Sequence, residues 1–160
     1  MNRFPIIRVI TKILIPYILL FGLYVQFHGD FGPGGGFQAG VIFASAFILY
    51  GLVYGLKKLH EVAPPAVIEK LIALGLIIYA GTGSVCMLLG GNFLDYDVLN
   101  HAVLTELPAA LDFLPGSGPH HFLPAGQHLG IFLVELGVGI TVTAVMTMIF
   151  YAFAGREPVK

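Results

Sequence analysis

Long apolar runs without a single charge are the feature that most constrains this chain. Three of them cover residues 36–56, 71–89 and 136–155. A transmembrane helix needs about 20 predominantly apolar residues to cross a hydrocarbon core of roughly 30 Å, and each run has about that length. In a chain of 160 residues, three such runs leave too little polar sequence for an ordinary soluble domain. The sequence therefore predicts an integral membrane protein.

The N-terminal span is weaker, because its charge-free run covers only residues 13–27. A full span must extend back to about residue 6, with Arg8 and Lys12 reaching toward the interface along their apolar stems. A secretion signal would also begin this way, but no small-residue cleavage site follows and further spans come directly after it. We therefore expect an all-α membrane protein with four transmembrane helices, forming a single membrane domain over residues 1–160. The expected helices are about 6–27, 36–56, 67–89 and 126–154, and the expected outer loops are 28–35 and 90–125.

The basic residues predict the orientation of these spans. All eight Lys and Arg residues fall on one side of the alternation, at the N-terminus, in the middle loop 57–70 and in the C-terminal tail. Positive residues accumulate on the cytoplasmic side of membrane proteins. Both termini are therefore expected to be cytoplasmic.

Composition excludes several other classes of protein. Only 11% of the residues are charged and the net charge is −1, so the chain has no field that would attract nucleic acid. Its single cysteine, Cys86, allows no internal disulfide, and a cysteine metal site is not expected. Asp95 and Asp97 in the second outer loop, with three histidines there, do not have the spacing of a known metal site, and we expect none. The histidines are His101, His120 and His121. Apolar spacing over residues 97–111 predicts a short surface helix.

A glycine loop joins the first two expected spans, with the sequence HGDFGPGGG over residues 28–36. One interpretation is a tight connection that lets two helices approach closely. The other is an irregular backbone that lines a polar cavity, which membranes tolerate only where protein or water covers it. Gly36 and Gly40 also form a small-xxx-small pair that favours close helix packing. The residues of interest in the loop are His28, Asp30, Pro33, Gly34, Gly35 and Gly36.

Glu135 is the strongest candidate for chemistry, because it lies about 16 Å along the last expected helix if that helix begins near Pro124. An acidic side chain at membrane depth is costly and is a functional candidate by default. His128 lies on the same helix face nearer the outer surface, and Thr141 adds a polar group further along. These three residues are the candidates for an ion pathway. The alternative is a protonated Glu135 that hydrogen-bonds a neighbouring helix for packing alone.

Three segments together resemble a known family. They are HGDFGPGGGFQAG at 28–40, GNFLDY at 91–96 and GQHLGIFLVELGVG at 126–139. The chain resembles the B subunit of the Mrp (Mnh) multisubunit sodium/proton antiporters over nearly its whole length. The resemblance implies a multi-pass protein of the inner (plasma) membrane of a bacterium. It also implies exchange of cytoplasmic sodium for external protons, in support of pH homeostasis, with no cofactor in this subunit. It implies that large A and D subunits carry the proton pathways and that small C, E, F and G subunits assemble beside them.

The expected function is therefore that of a small membrane subunit of a cation/proton antiporter, not an enzyme. It would help assembly and line the cation pathway, with sodium, protons, lipid and the other subunits as its partners. The alternative is the equivalent membrane subunit of an energy-converting hydrogenase or another redox assembly related to complex I. A third interpretation is a purely structural scaffold in either complex. A single acidic residue at membrane depth does not make a complete transporter. All three interpretations therefore place the function of this chain in a multisubunit complex.

Overall fold

Five helices lie wholly within the residues that a computed structural model describes, which are 5–29, 35–99 and 125–155. No β-strand occurs in these three segments. Four of the helices are long and apolar enough to cross a membrane. The prediction of an all-α protein with four transmembrane helices is therefore confirmed. The helices are α1 (Pro5–His28), α2 (Gly36–Tyr54), α3 (Leu56–Val62), α4 (Pro65–Leu88) and α5 (Ala125–Ala154).

The four long helices begin and end within two residues of the expected positions. The largest differences lie around α3, a short helix that the sequence analysis did not anticipate. Gly55 has φ +93°, a left-handed conformation that ends α2 at Tyr54 and lets α3 begin in a new direction. Pro65 then occupies the first turn of α4, where its missing N–H costs no hydrogen bond.

Helix α5 is the centre of the bundle, because it packs against α4 on one side and α2 on the other, while α1 packs mainly on α2. Glycines allow these backbones to approach closely. A Cβ added at Gly40 would lie 2.8 Å from the Gly139 carbonyl oxygen, and one at Gly75 would lie 2.5 Å from that of Gly137. The expectation that Gly36 and Gly40 support close packing agrees with these contacts.

The bundle has two distinct ends. We call the end at which α3 lies the α3 end. The Tyr54 hydroxyl donates to the Arg8 carbonyl there (2.8 Å), and the Tyr151 hydroxyl donates to that of Ala63 (2.6 Å). The start of α1 and the end of α5 therefore lie at the same end. The five described Lys and Arg residues belong to the parts of the chain nearest this end. They are Arg8, Lys12, Lys57, Lys58 and Lys70.

The opposite end, which we call the loop end, includes the end of α1, the start of α2 and the segment after α4. Gly90 has φ +93° and turns the chain as α4 ends. Phe93 then packs on Gly83, and Tyr96 packs on Gly130 of α5. Of the surface helix expected over 97–111, residues 97–99 are helical and the others lie outside the described residues.

Candidate functional site

The carboxylate of Glu135 lies against the two described ends of the glycine loop. A Cβ added at Gly29 would be 2.6 Å from both carboxylate oxygens of Glu135, and one at Gly35 would be 2.8 Å from Oε1. Real Cβ atoms essentially never approach this closely, so a side chain at either position would require the carboxylate to move. The structure thus brings together the glycine loop and the membrane acid, which the sequence analysis considered separately.

The start of α2 is built around the same residue. Gly35 has φ +111°, which favours glycine, and it precedes the first residue of the helix. A Cβ at Gly36 would fall on the main-chain carbonyl oxygen of Glu135. The N-cap residue of α2, Gly35, has no side chain to cap the helix, and the first N–H groups of a helix carry a partial positive charge. The Glu135 carboxylate therefore lies close to a helix end that favours negative charge.

The start of α2 lies below the ends of α4 and α5. Gly36 contacts Glu135 on α5, and Gly137 of α5 is level with Tyr79 of α4, whose backbone nitrogen would be 3.1 Å from an added Cβ. From Tyr79, α4 continues to Leu88, a further distance of about 13 Å at about 1.5 Å per residue. From Glu135 back to its first residue, α5 extends about 15 Å. The start of α2 is therefore recessed toward the middle of the bundle.

The remaining predicted pathway residues are only partly brought together. His128 lies two turns from Glu135, about 10.5 Å along the same face of α5. Thr141 faces α4 instead, where it contacts Gly75, and its hydroxyl donates to the Gly137 carbonyl (2.9 Å).

In the loop itself, His28 is exposed and stacks on Tyr24, with 5.3 Å between the ring centroids. Asp30, Pro33 and Gly34 lie outside the described residues.

Gln26 of α1 is a residue of this region that the sequence analysis missed. It is 4% exposed, and its Oε1 would be 2.8 Å from a Cβ added at Gly139, one turn of α5 beyond Glu135. One further turn along, the Thr143 hydroxyl is within hydrogen-bonding distance of the Gly40 and Gly139 carbonyls (3.1 and 2.7 Å). The signal was present, since Gln26 is an uncharged polar residue near the end of the apolar run 13–27.

The chemistry available here is that of oxygen ligands. A carboxylate, together with carbonyl oxygens, is the kind of group that binds hard cations, and a carboxylate can also accept a proton. Within the described segments, no three His, Cys, Asp or Glu residues come together as a metal site. Asp95 and Asp97 belong to these segments, whereas the other members of the histidine and aspartate group lie outside them. They are His101, His120 and His121.

Comparison with known proteins agrees with the membrane architecture and the sequence motifs. Residues 6–148 match the family described as a domain related to the MnhB subunit of Na+/H+ antiporter. An antiporter subunit named mnhB2 from Staphylococcus haemolyticus is 36% identical over 152 residues, covering 95% of each chain. The B subunit of the Na+/H+ antiporter of Alkalihalophilus pseudofirmus is 32% identical over 141 residues, covering 86% of this chain and 88% of that protein.

These relatives are bacterial and carry antiporter names, which does not favour the alternative of a hydrogenase-type redox complex. Together with the four spans, they identify a multi-pass protein of the bacterial plasma membrane. The family match covers most of the chain, including the glycine loop and Glu135. The chain belongs to the MnhB family of Na+/H+ antiporter subunits.

Proposed function

We propose that Glu135 and the glycine loop line the cation pathway of the multisubunit Na+/H+ antiporter that contains this protein. The observation that carries the proposal is the position of the Glu135 carboxylate, against Gly29 and Gly35 in a recess of the bundle. At this recess the backbone of Gly29 and Gly35 lies at a depth where a membrane protein otherwise exposes few polar atoms. A cation at this depth would find both charge and oxygen ligands.

Exchange of sodium for a proton follows from the two ionisation states of the Glu135 carboxylate. In its ionised form Glu135 attracts a sodium ion, and in its protonated form it releases that ion. Because the side chain is half-buried between helices, the ionised form is stabilised either by the nearby start of α2 or by a bound cation. Sodium and proton therefore compete for one group, as antiport requires.

Within the complex, this chain contributes a segment of the route and not the whole of it. The acidic residues of the described spans are Glu69, near the start of α4, and Glu135. A relay across roughly 30 Å needs more groups than these two supply. We assign the long proton pathways to the large A and D subunits and place this protein next to the small C, E, F and G subunits. The protein carries no enzymatic activity of its own in this proposal.

The orientation follows from the charges. The basic residues of α1, α3 and α4 lie toward the α3 end, and basic residues favour the cytoplasmic side. The α3 end and both termini are therefore placed in the cytoplasm in our proposal. The recess at Glu135 then opens toward the outer side of the membrane, where protons enter.

The replacement Glu135→Gln in the intact complex tests the site, because glutamine keeps the size of the side chain and removes its charge. Antiport in inverted vesicles is expected to fall about tenfold or more, as for the loss of a charged partner worth about 1.5–3 kcal/mol. Glu135→Asp keeps the charge and should be milder. The matched control is Glu69→Gln, which changes an exposed glutamate near the α3 end and should leave antiport within a factor of about two.

Assembly is measured in the same preparations, by the amount of the other subunits that co-purifies. A Glu135→Gln complex that assembles normally and exchanges sodium at the wild-type rate and pH profile would show that Glu135 is structural. If Glu135→Gln fails to assemble, the assembled Glu135→Asp complex decides instead: an altered rate or pH profile of exchange would place the carboxylate in the transport step.

A further inference from the structure

A cavity of about 310 Å³ opens between α1 and α4, with α2 and α5 behind it. Its walls are mostly leucine, isoleucine and phenylalanine side chains, among them Leu23, Phe43 and Leu71. Helices α1 and α4 do not pack extensively on each other. Leu23 is 46% exposed and Phe27 is 64% exposed, so the cavity opens sideways on the surface that faces the membrane.

The polar side chains in the wall are Gln26 and Thr143. The hydroxyl of Thr143 is engaged by carbonyl oxygens of α2 and α5. Gln26 is different, because it is 96% buried and its Nε2 finds no hydrogen-bond acceptor in segments 5–29, 35–99 and 125–155. Buried polar groups are almost always hydrogen-bonded, and an amide left unpaired among apolar side chains is costly. The side chain therefore indicates an acceptor supplied from outside these segments.

The depth of Gln26 restricts what that acceptor is. Gln26 lies beside Gly139, which falls between the two α5 residues, Gly137 and Thr141, that contact Gly75 near the middle of α4. Lipid ester and headgroup oxygens lie at the interfaces, roughly 15 Å from the middle of the hydrocarbon core. An acyl chain that filled the cavity would leave Nε2 unpaired. A water molecule needs two to four polar partners, which these largely apolar walls do not supply.

We propose that this cavity receives a transmembrane helix of a partner subunit, which places a hydrogen-bond acceptor against Nε2 of Gln26. The helix fills the apolar walls with its own apolar side chains. The acceptor is an oxygen near the middle of that helix, either of a polar side chain or of a main-chain carbonyl where the helix is interrupted. This docking site does not depend on the role of Glu135, so either proposal can fail without the other.

The first test is photo-crosslinking in the intact complex, with p-benzoylphenylalanine introduced in place of Leu23. The matched control is the same group in place of Phe21, which is 56% exposed and, two residues away, points to the opposite side of α1. The Leu23 position is expected to capture a different subunit that the Phe21 position does not capture. Capture of lipid alone, or of residues 100–124 of this same chain, would overturn the proposal.

The second test removes the donor. Gln26→Met keeps a long flexible side chain without its N–H groups, and Gln38→Met makes the same change at an exposed position of α2. With Gln26→Met, the amount of the partner captured at position 23 should decrease by about threefold or more, the effect of one hydrogen bond between membrane helices. With Gln38→Met it should not change. An unchanged amount with Gln26→Met would refute the hydrogen bond to Gln26.

Discussion

Replacing Gly36 with alanine tests how closely α2 packs on α5. The added Cβ would coincide with the main-chain carbonyl oxygen of Glu135 and lie 2.7 Å from the carbonyl carbon of that residue. Ordinary van der Waals contact begins near 3.4 Å, so the two backbones must separate by at least about 0.7 Å in an interior that is otherwise close-packed. Because the obstructing atoms belong to the backbone, no side-chain rotation relieves the overlap.

The expected decrease in the free energy of unfolding lies at the upper end of the range for overpacked interiors, about 3 kcal/mol. For a chain of this size, that corresponds to a decrease in the unfolding midpoint of about 6–12 °C. Gly81→Ala is the matched control, because Gly81 is also a helical glycine and a Cβ there would meet no atom within 4 Å. Gly81→Ala should leave the free energy of unfolding unchanged or raise it by up to about 1 kcal/mol, because alanine has a better helix propensity than glycine.

The assay heats the purified complex and measures, by size-exclusion chromatography, the fraction in which this protein remains bound. Gly36→Ala should shift the midpoint down by the amount given above, and Gly81→Ala should stay at or above the wild-type midpoint. Equal midpoints for the two variants would refute the close approach of α2 and α5, and with it the geometry around Glu135.

Two further predictions concern the turn after α2 and the orientation in the membrane. A Cβ added at Gly55 would meet no atom within 4 Å, but Gly55 has φ +93°. Gly55→Ala should therefore introduce backbone strain of about 1–2 kcal/mol and lower the same midpoint by about 2–8 °C. An unchanged midpoint would mean that the turn adapts. With Asp97→Cys, an impermeant thiol reagent should label intact cells, and with Lys58→Cys it should label only inverted vesicles, while the native Cys86 is buried. The opposite labelling pattern would reverse the proposed orientation.

The spans were predictable because each one depends on a local property, a sufficient length of apolar residues. The same property gives no information on which helix faces pack together. Helices α2 and α5 are apolar all around, so no amphipathic face indicates which side meets which neighbour. The contact between Gly29 and Glu135 joins residues that are far apart in the chain. It depends on which glycine of one helix meets which residue of another, and a single sequence does not show that pairing.

Two local features were missed for other reasons. The charges of segment 57–70 suggested a plain loop, whereas Gly55 only redirects the backbone and the helix resumes as α3. Gln26 was hidden among apolar neighbours, and its burial depends on Gly139 from α5. In both cases the deciding information lies in tertiary contacts and not in composition.

The recessed start of α2 also determines where lipid can surround this protein. Helix α2 begins level with Glu135, about 3 Å nearer the loop end than Gly137, so its start lies about 10 Å below the end of α4. A helix is itself only about 10–12 Å wide. A bilayer changes its thickness at a cost for every ångström, so its surface does not follow a step this steep. Acyl chains that covered the step would offer no hydrogen-bond partner to the first N–H groups of α2. We therefore expect the annular lipid shell to be interrupted on this side, with protein and not lipid covering the sector that contains Glu135.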